Sequence, residues 1–258
     1  MFRPCIDLHE GKVKQIVGGT LGNEPQRLRT NFVSDRSAAW YAGLYRQDGL
    51  KGGHVIMLGP GNETEARAAL QAYPSGLQLG GGVNPNNARE WLAAGASHVI
   101  VTSWVFREGL IDFARLEQLL GVIGKERLVL DLSCRKRGEH YFVVTDRWQK
   151  FTDVALEHAS LEKLANYCSE FLVHAVDVEG LCRGIDEELV SKLGEWTRIP
   201  TTYAGGASSL ADLEKVNILG KGKIDLTIGS ALDIFGGSGV RYEEVVAFNK
   251  RPNAVRGG

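Results

Sequence analysis

One stretch of this chain is written twice. Arg3-Pro4-Cys5-Ile6-Asp7-Leu8, with Gly11 and Lys12 behind it, returns 124 residues on as Arg127-Leu128-Val129-Leu130-Asp131-Leu132, with Lys136 behind it. Each copy is an apolar run of the kind that forms a buried strand, with a carboxylate near its C-terminal end. A second pair keeps the same offset: Gly80-Gly81-Gly82 and Ala204-Gly205-Gly206, each behind a short apolar strand. Asp7 to Gly81 and Asp131 to Gly205 both span 74 residues. Two features in one order at one separation indicate a duplicated half, which limits the folds available more than any other property of the sequence.

Between these landmarks strands and helices alternate. Strands are expected at Phe2 to Leu8, His54 to Leu58, Leu77 to Leu79, His98 to Thr102, Arg127 to Leu132, Phe171 to Val178, Ile199 to Tyr203 and Ile224 to Ile228. The first helix is expected over Asp35 to Arg46, capped by Ser34 or Asp35, with Trp40, Tyr41 and Leu44 on a buried face. Helices over Glu63 to Gln71, Asn87 to Ala94, Ile111 to Val122, Leu161 to Cys168, Asp186 to Trp196, from Ser208 or Ser209, and over Tyr242 to Lys250 follow the later strands. Two connections are long for a compact domain, Gly18 to Ser34 and Ser133 to Thr152, and loops of that length usually carry function.

Eight such units in 258 residues suit a single α/β domain, a (βα)8 TIM barrel, and an open doubly wound sheet is the competing arrangement. The repeat favours closure, with half-barrels over about 1–124 and 125–250 and a polar, disordered tail over 251–258. A hydrophobic share of 43% is ample for such a core.

On a barrel the strand C-termini and the loops after them form the active face. Asp7 and Asp131 fall there, one per half, as a pair suited to moving protons; alone, either is as readily a loop-capping residue. Gly81-Gly82 and Gly205-Gly206 offer amides to an anion without a Cβ in the way, and Thr102-Ser103 and Gly229-Ser230 end the neighbouring strands. One glycine turn is weak evidence and often only close packing. Two at the repeat spacing point to two phosphate sites across one mouth, hence an elongated substrate with a phosphate at each end. His174, Asp177 and Glu179 lie on or after the sixth strand, and Trp148 sits on a long loop where an indole can stack on a flat heterocycle. Lys14, Arg27, Arg29, Arg135 and Lys136 are further phosphate candidates, though such residues are mostly solvated. His9, His54, His98, His140 and His158 show no metal-ligand spacing.

Cys5-Ile6-Asp7-Leu8-x-x-Gly11-x-Val13, Leu79-Gly80-Gly81-Gly82-Val83, Val99-Ile100-Val101-Thr102-Ser103, Tyr203-Ala204-Gly205-Gly206 and Gly229-Ser230 resemble the ProFAR isomerase family of histidine biosynthesis. The resemblance runs from about residue 3 to 250. The run Phe171 to Cys182, Val101-Thr102-Ser103-Trp104 and Leu232 to Gly237 are similar to its eukaryotic-type branch. The resemblance implies a barrel of two half-barrels, a substrate with two terminal phosphates, and an Amadori rearrangement of an aminoaldose to an aminoketose, with no metal or redox cofactor. It implies Asp7 as base, Asp131 as a supporting carboxylate and Trp148 as stacking partner of the aminoimidazole. His174 stands where bacterial relatives carry a threonine. The acid of those relatives is the Asp of an Asp-Gly-Thr motif, which this chain lacks. Alignment through Gly180 selects Glu179, a shorter side chain favours Asp177, and alternation along a strand would put both on one face.

The cyclase subunit of imidazole glycerol phosphate synthase shares the half-barrel pattern and is the nearest alternative; a non-catalytic sensor of phosphorylated metabolites is another. A formal charge of -1 argues against a nucleic-acid partner, and no apolar run approaches the ~18 residues of a membrane span. Cys5, Cys134, Cys168 and Cys182 lack zinc or CxxC spacing and read as reduced thiols. The first strand leaves no room for a targeting segment ahead of it in this sequence. A cytoplasmic monomer is expected, with a plastid as the alternative location after removal of a transit peptide.

Overall fold

The computed structural model describes residues 1–20 and 28–251. Arg27 and the tail beyond residue 251 therefore lie outside the described residues. The eight parallel strands are Phe2–Arg3 continued by Cys5–His9, then Gly53–Met57, Leu77–Gly80, Val99–Val101, Leu128–Asp131, Glu170–His174, Thr201–Ala204 and Ile224–Thr227. Closure is achieved by the first of them. Phe2 and Arg3 pair with Leu226 and Thr227 of the eighth strand, while Cys5 to Leu8 pair with His54 to Met57 of the second. Pro4 separates the two segments; it lacks an N–H, but its carbonyl still accepts from His54 at 3.0 Å, so the strand changes partners without leaving an open edge.

Among the described residues eight α-helices cover the outside: Ala38–Gln47, Glu63–Ala72, Ala88–Ala93, Phe113–Ile123, His158–Leu164, Glu187–Trp196, Leu210–Leu219 and Tyr242–Asn249. The main core lies between them and the strands, with Leu8, Tyr45, Leu77, Leu130, Val173 and Leu226 sealed from solvent. Inside the barrel, Ile100, Val129 and Leu172, with Ile56 against them, form a separate apolar cluster. Beneath it the lining is polar: Glu170 accepts from Gln78 at 2.9 Å and Thr202 at 3.0 Å, and Asp225 pairs with Arg3 at 2.8 Å. Each of these buried charges has partners, as burial of a charge requires.

The two glycine turns that share the repeat spacing have similar backbones. Gly81 and Gly82 have φ of 96° and 70°, and Gly205 and Gly206 have 124° and 76°. A Cβ on Gly81 would lie 2.2 Å from the Met57 carbonyl oxygen at the end of the second strand. One on Gly205 would lie 2.8 Å from the Ala175 carbonyl oxygen after the sixth. Both turns therefore need the left-handed backbone and the missing side chain.

Three local expectations are corrected. The first helix begins at Ala38, not Asp35, because Ser37 provides the cap, its hydroxyl accepting from the Trp40 amide. Tyr41 is buried, Leu44 half-buried, and Trp40 lies at the surface beneath Arg36. The connection after the fifth strand is not irregular: Cys134–Arg137, His140–Thr145 and Lys150–Ala155 form a three-stranded antiparallel sheet. The sixth strand ends at His174, with only a single bridge at Ala175, and residues 176–180 are turns. Alternation therefore cannot carry 177 and 179 to one face.

Candidate active site

A cavity of about 450 Å³ opens over the strand C-termini. Its wall holds Gly81, Gly82, Thr102 and Ser103 together with Arg147 and Trp148 from the tip of the antiparallel sheet, where the Asp146 amide donates to Ser103 Oγ at 3.1 Å. A smaller recess beside it is lined by Gly205, Gly206, Gly229 and Ser230, with Thr227 beneath. Asp7, Gln15, His174 and Glu179 line both, so they form the seam between the two glycine cradles.

Asp7 is placed by the end of the first strand and steadied by Gln15, whose side-chain amide donates to Oδ2 at 3.2 Å. Gln15 arrives through a hairpin: Leu8 pairs with Val13 and His9 with Lys12 around a two-residue turn, Glu10-Gly11, both at positive φ. Burial, followed by the negative charge of Glu179, pushes the Asp7 carboxyl up to about 7, with His174 and Gln15 opposing. Burial also raises Glu179 above the usual carboxylate range, and His174 partly offsets it. Burial drives both carboxyls towards the neutral acid, and at Asp7 the charge of Glu179 adds to it, the kind of perturbation that marks candidate proton-transfer groups.

Asp131 is buried differently. Its Oδ1 accepts from the Ser133 amide at 2.8 Å and hydroxyl at 2.5 Å, and its Oδ2 accepts from Thr102 at 3.1 Å. Burial works to raise it, but His174 and the two Ser133 donors outweigh that and hold it ionised, below its usual range. The two aspartates of the repeat are thus unequal. His174 Nδ1 lies 3.8 Å from Asp131 Oδ1, and its ring is 5.5 Å from Trp148 and 5.8 Å from His54. Burial lowers His54 to about 3, reinforced by the charge of His174, so His54 is neutral in the barrel wall.

Asp177 is elsewhere. It lies at the surface, where its carboxylate accepts from the Arg135 guanidinium at 2.7 Å and the Lys136 amide at 3.0 Å. Gly180 makes the difference: at φ 74°, a Cβ there would fall 2.2 Å from the Ile16 carbonyl oxygen. That turn carries Glu179 to the mouth and leaves Asp177 outside. Lys136 pairs with Glu188, Lys14 with Glu10, and neither these nor Arg29 and Arg135 line either cavity.

Gln15, Ser133, Asn31 and Gly18 were absent from the sequence-based set. Asn31 links the sixth and eighth loops, donating to Gly180 O at 2.8 Å and Ser230 Oγ at 3.0 Å. Gly18 donates to the Glu179 carbonyl at 3.2 Å, and a Cβ on it would lie 2.8 Å from Glu179 Cβ and 2.9 Å from Trp148 Cζ3. Gly18→Ala is expected to displace one of those side chains and lower kcat about tenfold, at an overpacking cost of about 1–3 kcal/mol. Steady-state kinetics alongside a thermal melt checks this, and wild-type kcat in a folded variant would contradict it.

Fold and mouth define the class, a (βα)8-barrel enzyme with ionisable side chains gathered over its strand C-termini. The family described as Histidine biosynthesis protein matches residues 1–238, and the chain belongs to that family. Among similar proteins is the chloroplastic 1-(5-phosphoribosyl)-5-((5-phosphoribosylamino)methylideneamino)imidazole-4-carboxamide isomerase of Medicago truncatula, 57% identical over 97% of this chain and 82% of the relative. Isomerases of the same name from Neurospora crassa and Saccharomyces cerevisiae are 54% and 51% identical, each over 97% of this chain and 98% of the relative. No helix among the described residues is long and apolar enough to cross a membrane.

Proposed function

We propose that this chain is an aldose–ketose isomerase that performs the Amadori rearrangement of ProFAR to PRFAR in histidine biosynthesis. The observation that carries the mechanism is the seam: Asp7 and Glu179 line both recesses, and each recess ends in a glycine cradle. A substrate phosphorylated at both ends spans the mouth with one phosphate at Gly81, Gly82 and Ser103 and the other at Gly205, Gly206, Gly229 and Ser230. Its reacting ribose then lies over the carboxylates, which is the positioning such chemistry needs. Thr102 is less suited to a phosphate, since its hydroxyl is engaged by Asp131.

Glu179, protonated, gives its proton to the ribose ring oxygen; the C1–O bond breaks and leaves a protonated Schiff base. Asp7, ionised, removes the C2 proton, and the resulting enolamine tautomerises to the ketone. His174 is biased towards its charged form beside both carboxylates: burial lowers its pKa, but Asp131, Glu179 and Asp7 outweigh this and raise it. Trp148 closes the wall against the aminoimidazole ring.

Incubation with ProFAR alone, without ammonia or a glutaminase, is expected to yield the ketose. A requirement for ammonia would favour the cyclase reading, and binding without turnover a sensor. One chain supplies every residue lining both recesses, which supports a monomer as the working unit; light scattering checks its mass. Four free cysteines, three of them buried, support a reducing compartment and hence the cytoplasm, with a plastid as the alternative; imaging of the tagged chain distinguishes the two.

A further inference from the structure

Between Asp131 and His174 stands a side chain with no role assigned so far. Ser133 is fully buried, and its hydroxyl lies 2.5 Å from Asp131 Oδ1 and 3.2 Å from His174 Nδ1. A serine hydroxyl carries one proton. The carboxylate holds none, so Ser133 donates to Asp131, and its oxygen is left to accept from His174. That contact is a hydrogen bond only when Nδ1 bears a proton. Neutral imidazole is thereby restricted to the Nδ1–H tautomer, with its lone pair on Nε2. Nε2 makes no hydrogen bond within the described residues, and His174 lines both recesses.

We propose that Ser133 is a positioning residue, holding His174 with Nδ1 protonated so that Nε2 is the nitrogen presented at the seam shared with Asp7 and Glu179. The inference rests on the isomerase reading only for its consequence in catalysis. When Glu179 has given its proton to the ring oxygen it is a carboxylate, and Asp7 begins as one; in the charged imidazolium Nε2 carries a proton as well, and Ser133, by holding the Nδ1 end, aims that N–H at the negative charge on the seam. The charged or titratable groups around the imidazole are Asp7 from the first strand, His54 from the second, Asp131 from the fifth and Glu179 from the loop after the sixth. Only Asp131 is joined to it through a hydroxyl. A direct Asp131–His174 hydrogen bond would not need Ser133, but at 3.8 Å that pair is too long for one.

The test is Ser133→Ala, read in two ways. In the wild-type protein labelled with 15N-histidine, the resonances of His174, assigned by loss in His174→Asn, are expected to show Nδ1 protonated on both sides of its titration. In Ser133→Ala the neutral form is expected to shift towards a mixture of tautomers, with kcat on ProFAR down about 10- to 100-fold and KM within about threefold. Thr102→Val removes a hydrogen bond from the same carboxylate without touching the imidazole and is expected to leave the His174 tautomer unchanged. Wild-type resonances in folded Ser133→Ala would overturn the proposal, and so would an equal tautomer shift in Thr102→Val, because Ser133 would then have no special part. If wild-type protein fails to turn over ProFAR, the isomerase reading fails alone, since the nitrogen resonances still decide what Ser133 does.

Discussion

Asp7→Asn is expected to lower kcat about a thousandfold while leaving substrate affinity within a few-fold. Asparagine keeps the size of the side chain and can accept the Gln15 amide, so the strand end and the seam keep their shape. What it cannot do is take a proton from carbon, and removing a positioned proton acceptor typically costs 10²- to 10⁴-fold. Affinity is expected to be spared because, in the proposed pose, the two glycine cradles and not Asp7 hold the ends of the substrate. The same substitution is expected to stabilise the fold in a pH-dependent way. The Asp7 carboxyl has an ordinary value of 3.8 and rises to about 7 in the folded chain, so the fold binds this proton more tightly than the unfolded chain does. Its favourable contribution is complete below pH 3.8 and lost as pH rises through about 7. At pH 8 the wild-type protein therefore carries a buried charge that Asn lacks. The variant should melt several degrees higher there, from a difference on the order of 1–3 kcal/mol, and the gain should vanish in acid. Kinetics and melts at both pH values check this. Wild-type turnover in the variant would remove Asp7 from the mechanism.

The frame of this molecule is legible in the sequence because the signals for it are local. Apolar strands of four or five residues, glycine pairs that must adopt positive φ, and a repeat offset of 124 all survive without knowledge of tertiary contacts. Side-chain direction at the mouth is not local in this sense. Whether residue 177 or 179 enters depends on Gly180 passing within contact of Ile16, a neighbour more than 160 positions away in the chain. Gln15 reaches the mouth through the Glu10-Gly11 hairpin, and Glu-Gly is not among the turn pairs that announce a hairpin in a sequence. The antiparallel sheet at Cys134–Arg137, His140–Thr145 and Lys150–Ala155 was hidden by its polar outer strands. Its tip holds Asp146, Arg147 and Trp148 at φ of 52°, 59° and 64°, conformations that cost non-glycine residues energy and that no propensity would assign them.

The glycine turns keep the symmetry of the repeat, and the carboxylates do not. Glu179→Gln is expected to lower kcat about 10²- to 10³-fold, whereas Asp177→Asn is expected to stay within about twofold of wild type. The contrast comes from surroundings, not residue type. Asp177 shares a solvated ion pair with Arg135, an interaction worth ~0–1 kcal/mol to stability, and lines neither recess. Glu179 lines both, sits against Gly205 with Oε2 3.3 Å from where a Cβ would be, and is raised by burial, which favours the protonated form that an acid needs. Glutamine preserves that packing and removes only the proton. The pH dependence of kcat/KM supplies a second reading: activity falls as pH rises through the raised pKa of the acid, and that descending limb is expected to disappear in Glu179→Gln. If Asp177→Asn were the inactive variant instead, the turn at Gly180 would have to open in solution and carry residue 177 inward. That movement would break its ion pair with Arg135, so Arg135→Ala would then accelerate the reaction; with Glu179 as the acid, Arg135→Ala leaves it unchanged.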